Sequence, residues 1–226
     1  MTSKPLAIVA GSGSGLGHAL LRCFENKGMK AVGLSRSPSD IDGLDIRGCD
    51  LTDHDMVSST VAPLVTEFGA PEIVVHNPAH LVIGSFLDTP LEEIEACWHN
   101  MVFSAATLAH CTMQPMVAAG GGTFIVSGAT ASLRGGGKFA AFASAKFALR
   151  GLTQSLAREF QPGGIHVIHT ILDGIIDTPK SRELHSLSPS KMMKVDDLAE
   201  AYFQLSQQPQ SVWTHELDLR PQSEAF

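Results

Sequence analysis

Leu6-Ala-Ile-Val-Ala-Gly-Ser-Gly-Ser-Gly-Leu-Gly17 joins a short apolar run to a glycine-rich turn and the start of a helical repeat. Leu6 to Ala10 has the length and apolarity of a buried strand, while Leu16, Leu20 and Phe24 recur every fourth residue as one helix face. The turn between them is a candidate phosphate cradle made by Gly11, Gly13, Ser14, Gly15, Leu16 and Gly17. Glycine lets backbone approach a ligand without a Cβ, and the free N–H groups of a helix start attract an anion. The spacing is Gly-x-x-x-Gly-x-Gly at 11, 15 and 17. The alternative Gly-x-Gly-x-x-Gly fails, because it would need glycine at Leu16 or at His18.

The same alternation runs down the chain. Met29 to Leu34 reads as a second strand, Asp45 to Cys49 as a third, and Glu72 to His76 as another, with helices between them, one beginning near Asp53. A long helical stretch follows Thr89-Pro90 to about Ala119, then a strand from Gly122 to Ser127 and a helix from Phe139 to Phe160. Ile165 to Leu172 is a further strand, and Val195 to Gln207 and Val212 to Leu219 are the last helix and strand. Repeated β-α units predict an α/β fold with a parallel sheet covered by helices on both faces, with ligands at the carboxyl ends of its strands. The Ser-, Pro- and Lys-rich span 180–194 is a candidate substrate lid.

Composition narrows the class. With 226 residues and 44% hydrophobic content the chain is expected to form one domain, 1–226. A net charge of −7 and the lack of a basic run argue against nucleic acid or an anionic membrane as main partner. Cys23, Cys49, Cys97 and Cys111 show no Cys-x-x-Cys spacing and read as reduced thiols of a cytoplasmic protein. No run of 18 apolar residues and no long apolar leader are present, so neither membrane spanning nor secretion is expected. The histidines lack ligand spacing, and no metal site is expected. His166 and His169 fall on opposite faces of their strand.

Individual residues carry chemical expectations. The second strand ends in Ser35-Arg36, where a nucleotide site for NAD usually has a carboxylate and an arginine suits the 2′-phosphate of NADP. NADP(H) is therefore favoured over NAD(H), against a solvated arginine in a turn. Asp50 is placed either to accept from an adenine amino group or to begin a helix cap. Asn100, mid-helix, is a weak helix former that asks for a reason. His76 and His80 are either acid/base groups or hydrogen-bonded structural histidines. Phe142 and Lys146 stand at i and i+4 of one helix, among the small residues Ala143, Ala145, Ala148 and Gly151.

Taken together, these motifs resemble the short-chain dehydrogenase/reductase superfamily from Leu6 to about Leu219. The resemblance implies a Rossmann-type doubly wound parallel sheet in three α/β/α layers and a bound nicotinamide with pro-S hydride transfer. Gly11, Gly15 and Gly17 match the family's cofactor loop, and Asp50-Leu51 its adenine contact. His76-Asn77-Pro78-Ala79 matches the motif that abuts the cofactor, and Asn100 the asparagine that holds a water in the proton relay. Lys146 matches the lysine on the nicotinamide ribose, while Asp173-Gly174, Ile176 and Thr178 match the segment at the nicotinamide end. Asn100 and Lys146 are thus the candidate catalytic residues. The two small-faced helices at 90–119 and 139–160 resemble those through which the family forms homodimers and homotetramers.

The departures fall on the reaction itself. The family's Tyr-x-x-x-Lys is Phe142-x-x-x-Lys146, and Ala129 stands thirteen residues earlier, at the usual place of the substrate-polarising serine. A positioned general acid is worth roughly a hundred- to ten-thousand-fold in rate. Ser127, Thr130 and Ser132 flank the missing serine, and the one tyrosine of the chain is Tyr202. The expected function is an NADP(H)-dependent oxidoreductase acting on a small carbonyl, alcohol or enoyl substrate with a non-standard proton donor, as in the family's dienoyl-thioester reductases. The alternative is a nicotinamide-nucleotide-binding protein with little catalysis, acting as a redox sensor or oligomer partner.

Overall fold

The computed structural model describes residues 4–38 and 43–224. Seven strands form one parallel sheet: β1 (Leu6–Ala10), β2 (Lys30–Ser35), β3 (Asp45–Gly48), β4 (Pro71–His76), β5 (Gly122–Ser127), β6 (Ile165–Leu172) and β7 (Glu216–Leu219). Their order is β3-β2-β1-β4-β5-β6-β7. The chain winds outward from β1 through β2 to β3, then returns to lay β4 on the other side of β1. That reversal opens a cleft at the carboxyl ends of β1 and β4.

Alternation within β1 shows why both faces need cover. Leu6, Ile8 and Ala10 pack into one core with α2 (His54–Phe68), α4 (Ser104–Ala118) and α5 (Ala140–Phe160). Ala7 and Val9 pack into the other with α1 (Leu16–Asn26) and α7 (Val195–Ser206). A run apolar at every position is what a strand sandwiched between two helical layers requires. Removing Cβ matters at one packing point in particular: a methyl on Gly17 would stand 2.6 Å from Ser12 Cα and 2.7 Å from Gly11 O, so α1 could not start so close to the turn. Among the described residues, no helix is long and apolar enough to cross a membrane.

The helical stretch expected from Thr89-Pro90 to Ala119 runs from Leu91 to Ala118 as α3 (Leu91–Trp98), a π-helical turn (His99–Phe103) and α4 in direct succession. Asn100 and Ser104 bond at this turn, Asn100 Nδ2 donating to Ala96 O at 2.8 Å and Ser104 Oγ to Asn100 O at 2.7 Å. The last strand begins at Glu216 and not at Val212; the residues just before it meet β6 through side chains, Trp213 stacking on His166 at 4.7 Å and His166 Nε2 pairing with Thr214 O. The span 180–194, expected as a candidate substrate lid, carries most of α6 (Pro179–Leu184), capped by Thr178, and a short turn at Pro189–Lys191. A bridge between Ile176 and Met193 ties its two ends together.

Candidate functional site

The turn after β1 is shaped by backbone. Gly11 has φ +81°, and a Cβ there would stand 2.7 Å from Pro78 N. The Gly11 amide donates to Leu34 O at 2.9 Å, and Asn77 Nδ2 donates to Gly11 O at 3.1 Å. The ends of β1, β2 and β4 are thereby locked at the cleft. A Cβ on Gly13 would meet nothing, so the crest of the turn faces open space. Gly15 looks across to Thr178, whose Cγ2 would be 3.1 Å from a Cβ at that position. This is a cradle that a phosphate-bearing nucleotide fits: bare amides, no side chain in the way, and a helix start behind it.

Two cavities meet at this turn. The smaller, about 260 Å³, is lined by Ser35, Arg36, Asp50, Leu51, Asn77, Pro78 and Asn100, among others. The larger, about 740 Å³, runs from Gly11, Gly13, Ser14, Gly15, Leu16 and Gly17 past Asn77 and Ala79 to Gly174, Ile176 and Thr178. It ends among Ala129, Phe142 and Lys146. The expected residues from both halves of the sequence therefore come together, with one exception. Asp173 lines neither cavity. Its carboxylate accepts from Thr130 Oγ1 and pairs with Arg220 Nη2 at 3.0 Å, so it braces the end of β6 and leaves the wall to Gly174.

Asp50 combines its two readings. Its Oδ1 accepts from the amide and hydroxyl of Thr52 at 2.9 and 2.7 Å, which, with Arg36 nearby, holds its carboxyl below the usual range while it faces the smaller cavity. The cap of α2 itself is Asp53, which accepts from the Met56 amide. Asn100 borders the smaller cavity, one N–H of its amide donating to Ala96 O, and is not on the wall of the larger one.

Lys146 is the most constrained group in the site. It is 2% exposed, donates to Ser127 O at 2.7 Å and sits 5.6 Å from the centre of the Phe142 ring. Burial pulls its ammonium down to about 8. Its charge in turn adds to the burial that keeps two histidines neutral: His76, lowered to about 3, and His169, lowered to about 4. Ser104 spends its one proton on Asn100 O, so His76 Nε2 carries the hydrogen of the 2.8 Å bond to Ser104 Oγ. His80 turns to Glu93 at 2.8 Å. Neither His76 nor His80 lines a cavity.

The hydroxyls that flank the serine-less position are already engaged. Ser127 Oγ pairs with Tyr202 Oη at 2.9 Å, Thr130 with Asp173, and Ser132 Oγ with His169 Nε2 at 3.1 Å and the Ala129 amide at 3.2 Å. Tyr202 is fully buried, also bonded to Thr170 at 2.6 Å, and burial raises its phenol to about 12. It does not line the larger cavity and does not stand in for the missing phenol. Sequence spacing did not single out Arg134, Leu81 or Ile83, which lie on the wall of that cavity, whereas Ser181 and His185, also on it, fall in the span expected as a substrate lid. Only a third dimension brings these loops together; no spacing signals them.

Comparison with known proteins agrees with this geometry. Residues 5–187 match the family model described as short chain dehydrogenase. The chain is 28% identical over 187 residues to the 3-oxoacyl-[acyl-carrier-protein] reductase of Escherichia coli, spanning 79% of this chain and 76% of that one. It superimposes on a short-chain dehydrogenase from Rhodopseudomonas palustris with a TM-score of 0.82 and 31% identity, covering 96% and 98% of the two chains. ElxO, in a form with tyrosine replaced by phenylalanine and NADPH bound, shares the fold at a TM-score of 0.86 and 20% identity, covering 95% and 96%.

Proposed function

The chain belongs to the short-chain dehydrogenase family of oxidoreductases, and from that premise we propose that it uses NADP(H) to reduce a carbonyl or conjugated enoyl substrate without a phenolic proton donor. The observation that carries this reading is the continuity of the larger cavity, which joins the glycine turn at one end to Lys146, Phe142 and Ala129 at the other. The Escherichia coli relative and the NADPH-bound ElxO form lend it support by analogy.

A bound reduced nicotinamide supplies the hydride. The glycine turn would hold its phosphates, and Arg36 with Ser35 would receive the 2′-phosphate, with Asp50 and Leu51 on the same cavity wall. Asn77, Pro78, Ala79, Gly174, Ile176 and Thr178 wall its path. Lys146 has donors beyond the one given to Ser127 O, and these hold ribose hydroxyls and a water. With its proton held less tightly than usual, the lysine passes a proton through that water to the reduced substrate and recovers one from solvent. Phe142 and Ala129 offer no hydrogen to a substrate oxygen and shape an apolar wall instead. This arrangement suits a conjugated enoyl compound, where hydride adds to one carbon and a proton to another, better than a simple ketone. Homodimers or homotetramers form through α4 and α5, where Val117 and Phe147 are exposed. The protein works in the cytoplasm.

The test is a panel of ketones and conjugated enones and thioesters incubated with NADPH deuterated at the pro-S position. Deuterium in a reduced enoyl product supports the proposal. NADPH bound without label transfer to any member leaves the second reading, a nucleotide-binding protein with little catalysis.

A further inference from the structure

Arg134 and His185 line the larger cavity together with Lys146, and no aspartate or glutamate among the described residues does so. This is a marked local imbalance in a chain with 23 acidic and 16 basic residues. The wall around Arg134 and His185 is largely apolar, with Leu81, Ile83, Phe139 and Phe142. Lys146 is spoken for at the ribose position, which leaves the other two without a task in hydride transfer.

Arg134 is carried on a built loop. It follows the single turn Thr130–Ser132, which is fastened at both ends by Thr130 to Asp173 and Ser132 to His169. The Arg134 amide closes the turn on Thr130 O at 3.2 Å. Further on, Lys138 takes φ +69°, a left-handed conformation uncommon for a side-chain-bearing residue, and its carbonyl accepts from the Gly84 amide at 2.9 Å. That bond ties the arginine loop to the segment carrying Leu81 and Ile83. The Arg134 side chain is exposed and has no carboxylate partner among the described residues. A guanidinium without a carboxylate partner, carried on a tied loop beside a largely apolar cavity, can receive a carboxylate, which its planar fork binds through two parallel hydrogen bonds.

We propose that Arg134, with His185 beside the same cavity, binds an anionic group on the substrate. The substrate class is then an apolar carbonyl or enoyl compound ending in a carboxylate. The inference rests on the larger cavity being the substrate end of the proposed oxidoreductase.

The experiment is calorimetric titration of the NADPH-loaded protein with octanoate and, separately, with 1-octanol, so that turnover is not the readout. The expected result is octanoate bound at least about tenfold tighter than the alcohol, an advantage that shrinks with added salt. Arg134→Gln should remove the advantage and Arg134→Lys should keep part of it. Equal binding of the two probes, binding of neither, or an advantage that survives Arg134→Gln would overturn the proposal. NADPH affinity is measured on the same samples. If the unaltered protein fails to bind NADPH, the oxidoreductase reading itself fails; if NADPH binds and octanoate is not preferred, only the anion receptor falls.

Discussion

The two ends of the larger cavity are built on different principles. At the glycine turn the wall is backbone, and each structural demand is local: a positive φ at Gly11, a close helix start at Gly17, open space at Gly13. At the other end the wall is side chain, and the neighbouring hydroxyls are consumed by partners far along the chain, Ser127 by Tyr202 and Thr130 by Asp173. The first end retains the features a nucleotide needs. The second has a lysine in a nearly dry setting beside a phenylalanine and an alanine. On the proposed function, holding a nucleotide and donating a proton draw on different ends of one cavity, and among the described residues no tyrosine lines the second.

Breaking the first end should have the larger effect. In Gly17→Ala the new methyl meets backbone at 2.6 Å, which cannot yield as a flexible side chain would. Overpacking of this kind costs roughly 1–3 kcal/mol in stability and moves the amides that cradle the phosphates. NADPH affinity, read by fluorescence titration, should fall by about a hundredfold or more. Retained affinity would mean that the turn is not the phosphate site.

Sharpening the second end should give a smaller, opposite effect. Phe142→Tyr places a phenol on the cavity wall 5.6 Å from the Lys146 ammonium, measured from the ring centre, and with Ala129→Ser restores both hydroxyls of the family pattern. NADPH-dependent reduction of simple ketones should rise by about tenfold or more in the double variant, a fraction of what a well-placed general acid supplies. No gain would show that the shape of the pocket, and not the missing hydroxyls, excludes ketones.

The same contrast explains what could be read from the sequence. Buried parallel strands and glycine positions write themselves locally, so the Rossmann sheet and the turn at 11–17 were legible, with strand ends shifted by a residue as at β2 and β3. Phe142 and Ala129 were visible as departures for the same reason. The π turn was not, because a widened turn inside a helix leaves the apolar spacing of the sequence unchanged. Nor was the place of Asp173, which is decided by Thr130 and by Arg220 on the far side of β7. The late start of the last strand stayed hidden because the residues before it are engaged by distant side chains, as Trp213 is with His166, a contact across more than forty residues of chain.

The most direct test of the whole account is a fluorescence titration of the purified protein with NADPH and, separately, NADH. The account predicts saturable submillimolar binding of NADPH, with NADH weaker by about tenfold because Arg36 has no 2′-phosphate to meet. A preference for NADH would contradict the role given to Arg36 and leave the glycine turn standing. Binding of neither nucleotide would contradict the central claim.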